Sequence, residues 1–281
     1  MSVKCYYKSE VRCNMKNAYL TCHKHNTPKP DTSSFHMHAH DLYEIFCFLK
    51  GDAKYYIEGN IYNLKPRDVL FIKRAEAHSL LINTQVPYER IVINFHQDAL
   101  LGDETQKKLA YFDSLPLGVG NKYPASMFKN KNWQYYINKI LSTDSKETKG
   151  LYLSVLVSEL YDCSPMILNL ETEKDGFSDI IDFLNEHMYE PLSLESICDR
   201  FYISKSHLNR KFKLMTGSTV WEYITAKRLL SAKELLQLGE PPTKVFSKCG
   251  FNDYSSFFRA YKAKFGLSPK NEADFKRKND F

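Results

Sequence analysis

Two fourteen-residue stretches decide how the C-terminal third folds: Ser204–Gly217, SKSHLNRKFKLMTG, and Asp253–Gly266, DYSSFFRAYKAKFG. Both close on a glycine, which ends a helix by entering the left-handed region. In both, an arginine stands seven residues before that glycine: Arg210-x-Phe212-Lys213 ahead of Gly217, and Arg259-x-Tyr261-Lys262 ahead of Gly266. A short helix precedes each stretch. Leu194–Phe201, with Ser193 as cap and Ser196 in place of a capping-box glutamate, leads through a tight turn around Ile203 into the helix capped by Ser204. A second short helix, about Thr243–Cys249, leads through Gly250-Phe251 into Asp253–Phe265. Helix, short turn, basic polar-faced helix is the helix-turn-helix pattern, here present twice.

Helical spacing sorts the faces. In the first candidate recognition helix Leu208, Phe212 and Met215 form an apolar stripe, while Ser206, Asn209, Arg210 and Lys213 lie on the other side. In the second, Phe257, Phe258, Tyr261 and Phe265 are apolar, and Tyr254, Ser255 and Arg259 project elsewhere. Arginine can pair with guanine through two hydrogen bonds, and asparagine with adenine. A long helix, Val220–Leu238, links the two units. It spans about 28 Å at 1.5 Å per residue, close to the ~34 Å between successive major-groove faces on one side of a duplex. Arg228, mid-way along this helix, reads as structural. Lys205, Lys211 and Lys262 read as phosphate contacts or solvated charges. A further helix around Ile180, Ile181 and Leu184 precedes the first unit.

The stretch from about Phe177 to Lys278 resembles the DNA-binding domain of the AraC/XylS family of bacterial transcription regulators. The resemblance rests on Leu208-x-Arg210-x-Phe212-Lys213-x3-Gly217 and Tyr223-Ile224-x3-Arg228-Leu229-x2-Ala232-x2-Leu235-Leu236. It continues in Cys249-Gly250-Phe251-x3-Ser255-x-Phe257-Phe258-Arg259-x2-Lys262-x3-Gly266-x-Ser268-Pro269. It implies base-facing positions at Ser206, Asn209 and Arg210 in the first unit and at Tyr254, Ser255 and Arg259 in the second. One departure stands at the end: Glu272 and Ala273 occupy the family's aromatic-arginine pair, with Phe275-Lys276-Arg277 as a shifted substitute.

Charge agrees. From Arg200 to Lys278 there are 17 basic and 6 acidic residues, and the remainder holds 22 basic and 27 acidic, within an overall charge of +6. A basic third on a mildly acidic body is the footprint of a nucleic-acid binder.

Residues 34 to 97 read as short strands rich in Ile, Phe, Tyr and Val: Tyr43–Leu49, Ala53–Ile57, Asn60–Leu64, Val69–Ile72, Ser79–Ile82 and Glu89–Phe95. Gly51-Asp52 and Gly59-Asn60 read as hairpin turns. Their number and spacing predict a sandwich or jelly roll. Within it stands His38-Ala39-His40-x3-Glu44-x6-Gly51, with His78 downstream. Together with Leu64-Lys65-Pro66-Arg67-Asp68 it resembles the cupin pattern found in the sensory half of many AraC-type regulators. On an extended strand His36, His38, His40 and Glu44 share parity and one face. Arg67 replaces the family's turn glycine. The cluster has three readings: contacts to a small organic effector such as a sugar, a divalent transition-metal site, or a remnant of the fold.

Helical patterns follow at Asp103–Leu115, Lys129–Leu141 and about Lys146–Tyr161, with a loop over Leu117–Met127. In the last helix Leu153, Leu156, Val157 and Leu160 form a stripe that suits either core or a dimer surface. The expected organisation is a cupin-like effector domain at 1–128, a helical dimerisation segment and linker at 129–176, with the linker itself at Asn169–Gly176, and a double helix-turn-helix domain at 177–281. No apolar run is long enough to span a bilayer, the N-terminus has no secretory signal, and seven scattered cysteines form no CxxC pair. These features point to a reduced, cytoplasmic protein. Its expected partners are double-stranded DNA, a small-molecule effector, a second copy of itself and RNA polymerase, with no membrane. No cofactor is firmly implied and no catalytic nucleophile arrangement stands out. The rival function is a metal-dependent cupin enzyme carrying an accessory DNA-binding domain. A nucleoid-type binder without sequence preference is a third reading.

Overall fold

The computed structural model describes residues 20–30, 37–128, 132–168 and 176–279, with side chains through Asp274. His36, Cys5, Cys13, most of the expected linker and the Phe275-Lys276-Arg277 side chains lie outside the described residues. The chain divides into two compact units: residues 1–36 with 41–174, and residues 37–40 with 175–281.

The first unit is an antiparallel β-sandwich. Its strands are β1 (Leu20–Thr27), β2 (Tyr43–Lys50), β3 (Ala53–Ile57), β4 (Asn60–Asn63), β5 (Val69–Ile72), β6 (His78–Ile82), β7 (Tyr88–Phe95) and β8 (Lys122–Tyr123). One sheet has the order β1-β7-β2-β5-β8 and the other β4-β3-β6. Central strand β2 is buried from Tyr43 to Phe48 on both faces, so it reads as continuous apolar sequence rather than alternation. Its inward residues Phe46 and Phe48 pack with Leu70, Ile72 and Val92, and with Tyr55, Leu80 and Ile82 of the facing sheet.

Its outward residues Ile45 and Cys47 pack beneath three helices, α1 (Asp103–Ser114), α2 (Trp133–Ser142) and α3 (Lys146–Ile167). Leu153, Leu156, Val157 and Leu160 are fully buried in this second layer. The stripe is core, and the outer faces of these helices carry other residues. Helix α3 runs one and a half turns past the expected Tyr161 because Cys163, Ser164 and Ile167 continue the buried stripe despite Pro165.

One turn differs from its sequence reading. Ile57 pairs with Asn60, so the hairpin turn is Glu58-Gly59, one residue earlier than expected. Both turn residues have positive φ, 47° and 82°, the type I′ geometry that matches strand twist. Arg67, in place of glycine, still adopts φ 74°. The turn closes around Asp68, whose carboxylate accepts from the backbone N–H of Lys65 (2.9 Å) and of Ala125 (3.0 Å).

Strand β8 falls within the stretch expected as loop. A buried carboxylate holds it there: Glu76 accepts from Gly118 N–H (2.8 Å) and Asn121 Nδ2 (2.7 Å) and pairs with buried Lys73 (3.3 Å). Burial pushes the Glu76 carboxyl above its ordinary value, with Lys73 opposing.

The second unit is helical: α4 (Ser178–His187), α5 (Leu194–Phe201), α6 (Lys205–Thr216), α7 (Val220–Gln237), α8 (Pro242–Lys248), α9 (Tyr254–Phe265) and α10 (Pro269–Asn279). Phe212 anchors its first half, meeting Phe177 and Tyr223 at centroid distances of 5.2 and 5.7 Å. Leu229, Ala232, Leu236, Val245, Cys249, Phe257, Tyr261 and Ala273 form the core of its second half. The departure at the last helix is accommodated there: Ala273 is buried, and Glu272 accepts from Gln237 (2.9 Å) and Tyr261 (3.1 Å).

Candidate nucleic-acid interface

The two helix-turn-helix units close by the same backbone bond. In the first, Ile203 N–H donates to Cys198 O (3.1 Å); in the second, Phe251 N–H donates to Phe246 O (3.0 Å). The residue before each donor is left-handed, Tyr202 at φ 52° and Gly250 at φ 77°. Helix α5 starts from a complete capping box made by Ser193 and Ser196, so serine does serve where glutamate usually stands.

Ser204 then caps α6, accepting from His207 N–H (3.2 Å), and Asp253 caps α9, accepting from Ser256 N–H (2.7 Å). That hydrogen bond to the backbone holds the Asp253 carboxyl below its ordinary value.

Leu208, Phe212 and Thr216 bury one side of α6, and Ser206, Asn209, Arg210 and Lys213 are exposed on the other. On α9, Phe257 and Tyr261 are buried while Ser255, Arg259 and Lys262 are exposed. Arg259 donates to Ser256 Oγ (3.2 Å). Tyr254 is half-buried against Phe246, Phe257 and Phe258, so its ring belongs partly to the core. Lys205 forms an ion pair with Glu195, which raises the lysine and lowers the carboxyl. Lys211 is half-buried.

Arg228 is structural. Its Nε donates to Met188 O (2.5 Å) and its Nη2 to Glu190 O (3.0 Å), satisfying carbonyls at the end of α4. A Cβ on Gly250 would lie 2.9 Å from both Arg228 Cζ and Tyr189 O. The second turn therefore rests directly on this clamp.

Inside the sandwich of the first unit, Glu44 and Asn94 are cross-strand partners on the inward face. Buried Glu44 accepts from Tyr55 OH (3.3 Å) and lies 3.8 Å from His78 Nε2. His78 Nδ1 is 2.8 Å from Glu76 O. A carbonyl only accepts, so Nδ1 carries a proton and Nε2 is the ring nitrogen that faces Glu44. Asn94 Oδ1 is buried without a hydrogen-bond partner among the described residues. Tyr55 and Asn94 are absent from the sequence reading; their facing strand register is the signal that identifies them. His38 and His40 lie with their rings 5.8 Å apart on the segment 37–40, which groups with the second unit, and Met37 N–H donates to Thr216 O (2.5 Å).

Two family models match the chain. One, described as an AraC-like ligand binding domain, covers residues 27–121; the other, a helix-turn-helix domain, covers residues 197–273. The chain belongs to the AraC/XylS family of transcription regulators.

The AraC-type relatives include the HTH-type transcriptional activator RhaS of Shigella sonnei, 23% identical over 263 residues that cover 87% of this chain and 89% of the relative. RhaS of Escherichia coli O81 is 24% identical over the same shares. Among solved structures, apo ToxT from Vibrio cholerae is 15% identical, with 92% of this chain and 97% of that one covered at a TM-score of 0.41. The DNA-binding domain of AdpA in complex with a target DNA is 24% identical, with 38% and 96% covered at 0.36. Family models and relatives describe an AraC-family DNA-binding regulator rather than an enzyme. Among the described residues no helix is long and apolar enough to cross a membrane.

Proposed function

We propose that this AraC-family protein is a sequence-specific, effector-responsive transcription activator that works in the cytoplasm as a homodimer and engages RNA polymerase. The observation that carries sequence readout is the matched pair of helices α6 and α9. Each is set after a left-handed turn and each presents polar side chains outward, Ser206, Asn209 and Arg210 on one and Ser255 and Arg259 on the other. Tyr254 contributes through the half of its ring that is exposed. Lys205, Lys211 and Lys262 add phosphate contacts, hence affinity and salt dependence rather than specificity. A second copy docks on the outer face of α2 and α3, where Tyr135 and Leu151 are exposed, the Leu153–Leu160 stripe itself being core. Footprinting then shows paired half-sites, each with two major-groove blocks; one isolated half-site protected by a monomer contradicts the dimer.

The effector is a small organic molecule bound in the sandwich. Glu44 and Asn94 Oδ1 are acceptors beside the His78 ring, which suits a ligand rich in hydroxyl donors, such as a sugar. His38 and His40 stay candidates for this role from their sequence pattern. Imidazole and carboxylate donors also fit a divalent transition metal, for which His38, His40, Glu44 and His78 are the candidate ligands and which would polarise a bound ligand; the organic reading does not require it. Effector binding acts by favouring one arrangement of the DNA-binding units over another. Titrating a panel of monosaccharides against operator binding tests this. Glu44→Gln abolishes the response and leaves basal DNA binding intact; an unchanged response places the effector elsewhere.

A further inference from the structure

We propose that Tyr202 is a DNA-backbone contact: its phenol, held at the turn of the first helix-turn-helix unit, packs on the sugar-phosphate strand beside the groove that α6 enters. This rests on the reading of α6 as a recognition helix.

The second unit shows what the turn itself requires. Tyr202 and Gly250 hold the same place, each one residue before the N–H that closes the turn. Gly250 suits that place because its conformation is left-handed and because Arg228 and Tyr189 leave no room for a Cβ. Tyr202 adopts the same region, at φ 52° and ψ 43°, as a bulky L-residue that disfavours it.

The turn holds the Tyr202 backbone, since its N–H and that of Ile203 both reach Cys198 O, but no packing of the side chain is seen among the described residues. Tyr202 is 96% exposed, while the other exposed tyrosines among the described residues, Tyr189 and Tyr135, are 42% and 51% exposed. The turn could be made by glycine, as in the second unit; a tyrosine in this disfavoured conformation whose ring is open to solvent among the described residues points to a partner outside the chain.

Position selects the partner. Tyr202 lies two residues before the Ser204 cap, at the end of α6 that presents Ser206 and Asn209. Arg200 and Lys205 flank it, and Arg210, Lys211 and Lys213 follow on α6, although Asp199 and Glu195 are also near in sequence. A phenol is neutral, so phosphate does not repel it. Its hydroxyl donates to a phosphate oxygen and its ring covers deoxyribose, a tyrosine role common at DNA backbones.

The test is binding of the full chain to its selected operator and to a random duplex of equal length, with melting measured in parallel. Tyr202→Gly should melt above the wild type, because glycine relieves the backbone, and yet bind both duplexes about five-fold more weakly. Tyr202→Phe should lose part of that affinity through the missing hydroxyl. The slope of affinity against salt should stay unchanged, since a phenol releases no counterion. Full affinity of Tyr202→Gly for both duplexes overturns the proposal. So does a loss of transcription with duplex binding intact, which would assign the ring to a protein partner. Arg210→Ala serves as the control: if it too leaves operator binding intact, the failure lies with α6 as reader.

Discussion

Helix α6 starts from a serine cap and carries Lys205, Arg210, Lys211 and Lys213 around a small apolar stripe; helix α9 starts from an aspartate cap and carries five aromatic residues among three cations. The first turn holds an exposed tyrosine, the second a glycine pressed against Arg228. The same backbone plan thus supports two finishes. The first unit leaves its polar face open and more cationic. The second ties its turn to α4 through Arg228, buries half of Tyr254 and tethers Arg259 to Ser256. The two units share a scaffold and differ in how their outward surfaces are finished.

The sharpest way to break this contrast is to exchange the turn residues. Gly250→Ala combines a left-handed alanine with a Cβ inside van der Waals contact of Arg228 and Tyr189, and should destabilise by about 2–5 kcal/mol. Tyr202→Gly should shift melting the other way. Two shifts of the same sign would remove the distinction between the turns. Calorimetry or chemical denaturation reads both.

Arg210→Ala and Arg259→Ala sharpen the comparison at the level of readout. Each should cost about 1–3 kcal/mol on the specific operator if its guanidinium pairs with a base, with little change on random DNA. Arg210→Ala should be the larger, because Arg259 already has an intramolecular acceptor. Equal losses on random DNA would mean that both touch only phosphate.

The caps differ in their pH response. Ser204→Ala should cost about 1 kcal/mol at any pH. The Asp253 cap depends on ionisation. Its folded pKa is depressed, so its contribution is present above the unfolded aspartate value and is lost as pH falls through the folded value. Asp253→Asn should therefore flatten the acid limb of the stability profile. An unchanged acid limb would show that the carboxylate is not the operative acceptor.

The smallest effect concerns Glu195, which holds Lys205 away from solvent anions. Glu195→Gln should release that lysine, strengthen binding to random DNA and steepen the salt slope by about one unit. A slope equal to wild type would make Lys205 a bystander.

Much of this architecture was legible in the sequence, and the exceptions have causes. The caps and apolar stripes of α5, α6 and α9, and the glycine stops of α6 and α9, are local signals, and the structure reproduces them within a residue or two. The central strands are marked by dense β-branched and aromatic residues. Strand β1, LTCHKHNT, escapes because it is a polar edge strand whose identity comes only from pairing with distant β7. Strand β8 depends on the buried Glu76, whose partners come from a distant loop. The Leu153–Leu160 stripe shows its period but not which surface covers it; the sheet does. In the sensor, Glu44 and His78 were visible by spacing, whereas Asn94 and Tyr55 become inward-facing only through the register of three strands.

The measurement that tests the central claim most directly is selection of genomic DNA fragments by the purified full-length protein, followed by sequencing. The expected result is a sharp motif with two major-groove blocks about one helical turn apart, one for α6 and one for α9. Recovery of fragments without sequence preference, with and without the monosaccharide panel present, would contradict it.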